Sequence, residues 1–234
     1  MECQPDLSAL TRKELQDLMK SANRVEECFR VLERGGLNIV GEILRGQETF
    51  YEMNHYPEGD VFDTDTRSQY YYHAHRSDTS EHGHFHTFLR VESDEGKPDR
   101  TVHLVAISMD RWGYPTGLFT TNRWVTDELW HSAEQIIPRL GEFEIDHASP
   151  SWPVNIWITH LLKLYRLQIA ILIAERDRVL KSAMRPLDAL FEDRDLEVLS
   201  ECQIDVAAWK RCIEVALTQR SQAVTANVTS PGRR

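Results

Sequence analysis

The sequence is short of positive charge. Its 27 Lys and Arg face 37 Asp and Glu, a formal net charge of −10. An acidic surface repels phosphate backbones and no run of Lys and Arg offers a local exception, so nucleic acid is not an expected partner. Cysteine is sparse too. Cys3, Cys28, Cys202 and Cys212 form no CxxC pair, which excludes a zinc ribbon or thioredoxin-like dithiol and fits a reducing compartment. Long apolar runs are missing. The most apolar stretch, Val154 to Ala174, is interrupted by His160, Lys163 and Arg166, so a core helix is expected there rather than a membrane span. The first residues lack an apolar stretch after a basic start, so no signal peptide is expected. These features together predict a soluble cytoplasmic protein that acts on a small molecule. They do not fix its oligomeric state.

The apolar fraction of 41% over 234 residues is enough to bury a substantial core. Helical spacing of Leu15, Leu18, Ala22, Val25, Cys28 and Leu32 predicts a helix from Thr11 to Arg34. Thr11 and Glu14 supply a capping box, and Gly35-Gly36 the stop. A shorter helical piece is expected over Leu37 to Leu44. Glu48 to Tyr56 reads as extended, and PEGDVFDTDT as a turn-rich acidic loop. Strand composition then recurs at Ser68 to Arg76, His82 to Val91, Thr101 to Met109 and Gly117 to Thr121, with polar turns between. The remainder reads as helices: Thr126 to about Leu140, Pro153 to about Ala183, Leu187 to Cys202, and Val206 to Arg220. The expected architecture is α+β: a small antiparallel β-meander over about residues 48–122, flanked by N-terminal and C-terminal helices. A single domain over residues 1–220 and a disordered tail over 221–234 complete it.

Histidine is what the sequence concentrates. His73, His75, His82, His84 and His86 fall within fourteen residues, on two of the predicted strands. Alternate residues of a strand share a face. Parity groups Tyr71, His73 and His75 on the first strand, and His82, His84, His86 and Arg90 on the second. Opposed side chains in an antiparallel pair have Cβ atoms about 4.5–5.5 Å apart, close enough for several imidazoles to share one ion. The expected metal ligands are His73, His75, His84 and His86. His82 is expected as a further ligand or acid/base, with Arg90 and Tyr71 on the same face as candidate catalytic groups. With no cysteine nearby, the cofactor expected is a transition metal ion: zinc, iron or copper. Candidate carboxylates are Glu52, Asp60, Asp63, Asp65, Asp78 and Glu81. His55 and His103 stand close enough in sequence to join the site, whereas His160 reads as a core histidine. Asp110 to Pro115 and Asn122 to Trp124 read as turns with packed tryptophans.

Two resemblances attach to this hairpin. The block HYPEGDVFD…YYYHAHR…EHGHFHTFLR, followed by LVAISMDRWGYPTGLFTTNRWV, resembles an uncharacterised bacterial family, a domain of unknown function, over most of residues 48–130. That likeness implies no activity. The run His82-Gly83-His84-Phe85-His86-Thr87-Phe88 resembles the histidine-triad motif of nucleotide hydrolases and transferases, although Gly83 and Thr87 depart from its apolar positions. This second resemblance implies His84 as a nucleophile toward phosphorus. The residues therefore leave three functions open. One is a metal-dependent enzyme performing assisted hydrolysis or iron or copper oxygen chemistry, which the extra His73-x-His75 pair favours. The others are a metal-free transferase using His84 and a metal-binding protein without turnover.

Overall fold

The computed structural model describes residues 3–47, 49–75, 81–92 and 99–228. A six-stranded antiparallel sheet runs in sequence order: β1 Tyr56–Phe62, β2 Ser68–His73, β3 Gly83–Val91, β4 Arg100–Met109, β5 Pro115–Thr121 and β6 Val198–Gln203. Eight α-helices accompany it among the described residues: α1 Arg12–Arg34, α2 Ile39–Ile43, α3 Arg123–Thr126, α4 Ala133–Ile136, α5 Trp152–Leu164, α6 Arg166–Ser182, α7 Leu187–Phe191 and α8 Val206–Val228. The α+β architecture is the one expected, with helices at both ends of the chain.

Local chemistry accounts for the best-defined elements. Thr11 and Glu14 form the capping box that starts α1, satisfying two amide groups that a helix start leaves without partners. The apolar stripe of α1 is buried, and α1 packs along α5 and α8. Between helices and sheet, Tyr70, Tyr72, Phe85, Val105, Ile107 and Leu118 join Trp157 in one core. The Phe85 and Trp157 rings are 5.3 Å apart, and the Tyr70 hydroxyl donates to Asn155 Oδ1 at 2.6 Å. This sheet face is apolar. The histidines belong to the other one.

Several elements differ from the sequence expectation. The acidic stretch after His55 is strand β1 rather than loop. Its register on β2 shifts between Tyr56 and Val61, where Gly59 (φ +82°) and Asp60 (φ +60°) adopt left-handed conformations. The single helix expected from Pro153 to Ala183 is two helices, α5 and α6, bent by 69° at Tyr165. No proline or glycine marks the break. The helices have different partners, α1 for α5 and strands β5 and β6 for α6, so tertiary packing sets the bend. The helix expected over Leu187 to Cys202 stops at Phe191, and Val198–Gln203 pairs with β5 as the sixth strand. In place of one helix from Thr126 to Leu140 stand α3, α4 and a 3-10 turn at Ile137–Glu142. At the far end α8 continues to Val228, into the stretch expected to be disordered. No single helix among the described residues is long and apolar enough to cross a membrane.

Candidate metal centre

The register of β2 on β3 sets His73 opposite His84 and Tyr71 opposite His86. Strand alternation therefore places Tyr71, His73, His84 and His86 together on the face away from Trp157. On β4, Ser108 is opposite His84 and Ala106 opposite His86. The register then shifts between Thr87 and Phe88, so His103 rather than Leu104 faces Phe88. That irregularity turns His103 onto the histidine face, as β-bulges re-aim side chains. The sequence could raise His103 as a candidate, but the bulge that places it has no signature in composition.

Three of the expected ligands converge. One ring nitrogen from each of His73, His75 and His84 lies within 4.8 Å of the other two. His73 Nε2 is 2.8 Å from His84 Nε2, with the rings nearly perpendicular at 86°. The His75 ring is 5.0 Å from that of His73 and 5.1 Å from that of His84. Metal–nitrogen bonds of about 2.0–2.1 Å set tetrahedral ligand atoms about 3.3 Å apart. Capturing an ion here needs only sub-ångström to ångström-scale adjustments of side chains already side by side.

Glu81 defines the polarity of the cluster. Its Oε1 is 2.6 Å from His84 Nδ1, and both side chains are buried. A carboxylate is an acceptor, so His84 carries its proton on Nδ1 and presents the Nε2 lone pair to His73. Histidines that bind metals commonly have their second nitrogen held in this way. Burial, reinforced by the neighbouring His84, His75 and His55, pushes the His73 imidazolium down to about 2. At neutral pH this ring is uncharged, the form that donates a lone pair. His84 is fully buried, whereas the His75 side chain keeps 21% of its exposure and lies 3.9 Å from Glu197 Oε1. The cluster is thus closed from below and reachable beside His75.

His86, the fourth expected ligand, lies beside the triad. Its ring is 5.0 Å from that of His73 and 4.9 Å from that of His84. Nδ1 is engaged by His103 Nε2 at 3.0 Å, and His103 Nδ1 reaches Thr121 Oγ1 at 3.4 Å. His86 Nε2 is buried without a hydrogen-bond partner among the described residues. Burial, with the charges of neighbouring histidines, holds His86 well below the usual histidine range. His103 is pushed to about 3 by burial and Arg176.

The other expected site residues are placed differently. His82 is not on the shared face. It precedes β3, its N–H donates to Met109 O, and its Nδ1 bonds the hydroxyl of Tyr72 at 2.7 Å. Tyr72 belongs to the apolar face, so His82 turns that way, and its ring lies against Phe50. Gly83 permits this arrangement. A Cβ there would stand 2.5 Å from Tyr72 Oη and 2.6 Å from His73 O. Arg90 is on the histidine face but at its far end, where Nε donates to Gln69 Oε1 at 2.6 Å and the guanidinium lies 4.1 Å over Phe62. Tyr71 is buried within the cluster, 5.2 Å from both His73 and His86. His55 stacks on Tyr71 at 3.6 Å, with Nδ1 held by Asp60 at 3.0 Å, so the loop before β1 does reach the site. Among the carboxylates, Asp63 caps a turn through the Asp65 and Thr66 amides, and Glu52 is exposed. Asp78 lies outside the described residues.

Fold and site together define an α+β protein whose antiparallel sheet carries a histidine cluster able to hold a metal ion. The chain belongs to the family described as Domain of unknown function (DUF6969), whose model matches residues 19–204 and so spans all six strands. Comparison with curated proteins and with solved structures gave no match.

Proposed function

We propose that this protein is a metal-dependent enzyme in which His73, His75 and His84 hold a divalent transition metal ion, zinc in the first instance, for hydrolytic chemistry. The observation that carries this reading is the convergence of three imidazole nitrogens within 4.8 Å, one of them oriented by a buried carboxylate. Three neutral imidazoles leave the charge of a divalent ion largely uncompensated, and an ion so held lowers the pKa of a coordinated water toward 7. The residues have separable roles. Glu81 fixes the His84 tautomer, burial keeps His73 neutral, and the β2–β3 register fixes the spacing. His86 Nε2 supplies either a fourth ligand or a hydrogen-bonding group beside the ion.

The histidine-triad alternative needs only His84 as a nucleophile toward phosphorus and assigns no part to His73 or His75. One ring nitrogen from each of these two lies within 4.8 Å of a His84 nitrogen, and this convergence favours the metal reading.

The test is removal and return of metal. Protein stripped with a chelator should lose hydrolytic activity toward a panel of ester, amide and phosphoester substrates. It should recover on addition of one equivalent of zinc, iron(II) or copper(II), whichever the purified protein carries. Hydrolysis of a nucleotide phosphoramidate by metal-free protein would overturn the proposal in favour of the His84 nucleophile. A fully loaded protein inactive on the whole panel would leave metal binding without turnover.

A further inference from the structure

Of the three ligand histidines, His75 is the one outside the strand ladder. Pairing sets His73 opposite His84, and Glu81 holds His84 Nδ1 at 2.6 Å. β2 stops at His73, and His75 lies beyond it. The carboxylate that faces His75 is Glu197, whose Oε1 is 3.9 Å from His75 Nδ1. This neighbour is remote in sequence and in the sheet. Glu197 immediately precedes β6, and β2 and β6 are four strands apart, about 19 Å in a flat sheet. The sheet is not flat. The rings of His84 on β3 and Phe119 on β5 are 5.2 Å apart, where the backbones of a flat sheet two strands apart stand about 9–10 Å from each other. The sheet thus curls toward its histidine face. His75 and Glu197 meet by the same curl, taken across the width of the sheet.

The backbone of Glu197 is anchored although its side chain is 42% exposed. Its carbonyl accepts from the Asn122 amide at 2.9 Å, and the next residue, Val198, pairs with Thr121. Asn122 is fully buried, and its Nδ2 donates to Leu190 O at 2.8 Å. The Trp124 indole donates to Leu196 O at 3.1 Å. The turn from Asn122 to Trp124 therefore holds the loop before β6 where Glu197 faces His75. Glu197 is not placed as a ligand itself, since the group within 4.8 Å comprises the three histidines. A carboxylate against the outer nitrogen of an imidazole accepts its N–H and turns the other nitrogen toward the ion, as Glu81 does for His84. Resting on the metal centre proposed above, we infer that Glu197 is the positioning residue for His75: it accepts the hydrogen bond of Nδ1–H, so that His75 meets the ion through Nε2. Closing 3.9 Å to a hydrogen bond of about 2.9 Å takes a shift of about 1 Å, which a part-exposed carboxylate makes by rotation of its own side chain. Two of the three imidazoles then have a carboxylate behind them, and the far edge of the sheet takes part in holding the ion.

Competition for zinc against a chromophoric chelator tests this on the full chain, with wild type, Glu197→Gln, His75→Ala and the double variant. Glu197→Gln should weaken zinc binding about 10–100-fold. The melting temperature of the metal-stripped variant should equal that of stripped wild type, a readout that a merely structural role would move. In the His75→Ala background Glu197→Gln should have no further effect on zinc, since Glu197 acts through His75. Proton–nitrogen correlation NMR of the zinc-loaded wild type should show His75 bonded through Nε2 with its proton on Nδ1. Unchanged zinc affinity in Glu197→Gln overturns the inference. So does an equal loss in the His75→Ala background, or a His75 bonded to zinc through Nδ1. A wild-type chain that takes up no metal would instead overturn the metal centre on which the inference rests.

Discussion

The carboxylate of Glu81 holds Nδ1 of His84 at 2.6 Å in a buried setting, three residues away in sequence. This contact decides which nitrogen of His84 faces His73, and it makes Glu81 a positioning residue for the proposed metal centre. Glu81→Gln keeps the shape of the side chain and removes the charge that fixes the tautomer. Metal affinity should fall about 10–100-fold, the usual cost of losing such a partner. Competition with a chromophoric chelator measures it, and an unchanged affinity would remove Glu81 from the account.

His82 and Arg90, despite their parity in sequence, should be dispensable for metal binding. His82 is bonded to Tyr72 on the apolar face, and Arg90 is held by Gln69. His82→Ala and Arg90→Ala should retain wild-type metal content and lose only stability, by about 1–2 kcal/mol each for the lost hydrogen bond and packing. Elemental analysis beside thermal melting separates the two effects. Loss of metal in His82→Ala at unchanged melting temperature would contradict the placement of His82.

Gly83 is where the hairpin tolerates no side chain. A Cβ would meet the backbone oxygen of His73 at 2.6 Å, and backbone cannot move aside as a flexible side chain can. Gly83→Ala should therefore destabilise the protein by about 1–3 kcal/mol and perturb the β2–β3 register beside the ligands. Chemical denaturation gives the stability, and a wild-type midpoint would show that the strands are looser than described.

The stability of metal-stripped protein should depend on pH through buried histidines, of which His103 is one, opposed by the buried carboxyl of Glu128. His103 is pushed to about 3 in the folded state by burial and Arg176. The unfolded chain binds its proton first as pH falls below about 6.5. Stability is therefore lost from pH 6.5 down toward 3, by about 1.4 kcal/mol per pH unit at most. His160, pushed to about 4 by burial and Lys163, adds in the same direction, with a smaller effect because its side chain is only part-buried. Buried Glu128 runs the other way. Desolvation raises it to about 7, so the stability it contributes is present below about pH 4.5 and lost as pH rises toward 7. Glu128→Gln removes this opposition and should steepen the gain in stability between pH 4.5 and 6.5. Melting temperatures across pH 3–8 report it, and an identical profile for the variant would contradict the assignment.

The sequence carried the hairpin and its histidine cluster because strand parity is a local property. His73 and His84 could be brought together from alternation and one antiparallel pairing, and His75, past the end of β2, joins them there. Parity failed at His82 because the strand begins one residue later, at Gly83, and a residue outside the ladder is free to turn. It could not anticipate His103, whose face depends on a register shift, or the stacking of His55 on Tyr71, which depends on how the preceding loop folds. The α5–α6 bend and strand β6 were hidden for a related reason. Both are set by partners distant in sequence, and the apolar spacing of Leu187 to Leu199 suits a helix as well as a strand. The capping box of α1 was legible since Thr11 and Glu14 lie within one turn.

Elemental analysis of the purified protein, repeated on His73→Ala, His75→Ala and His84→Ala, tests whether these three histidines hold an ion. About one zinc, iron or copper ion per wild-type chain is expected, and loss of that ion in each of the three folded variants. A wild-type protein without stoichiometric metal under metal-replete conditions would contradict it, as would metal retained in full by all three variants.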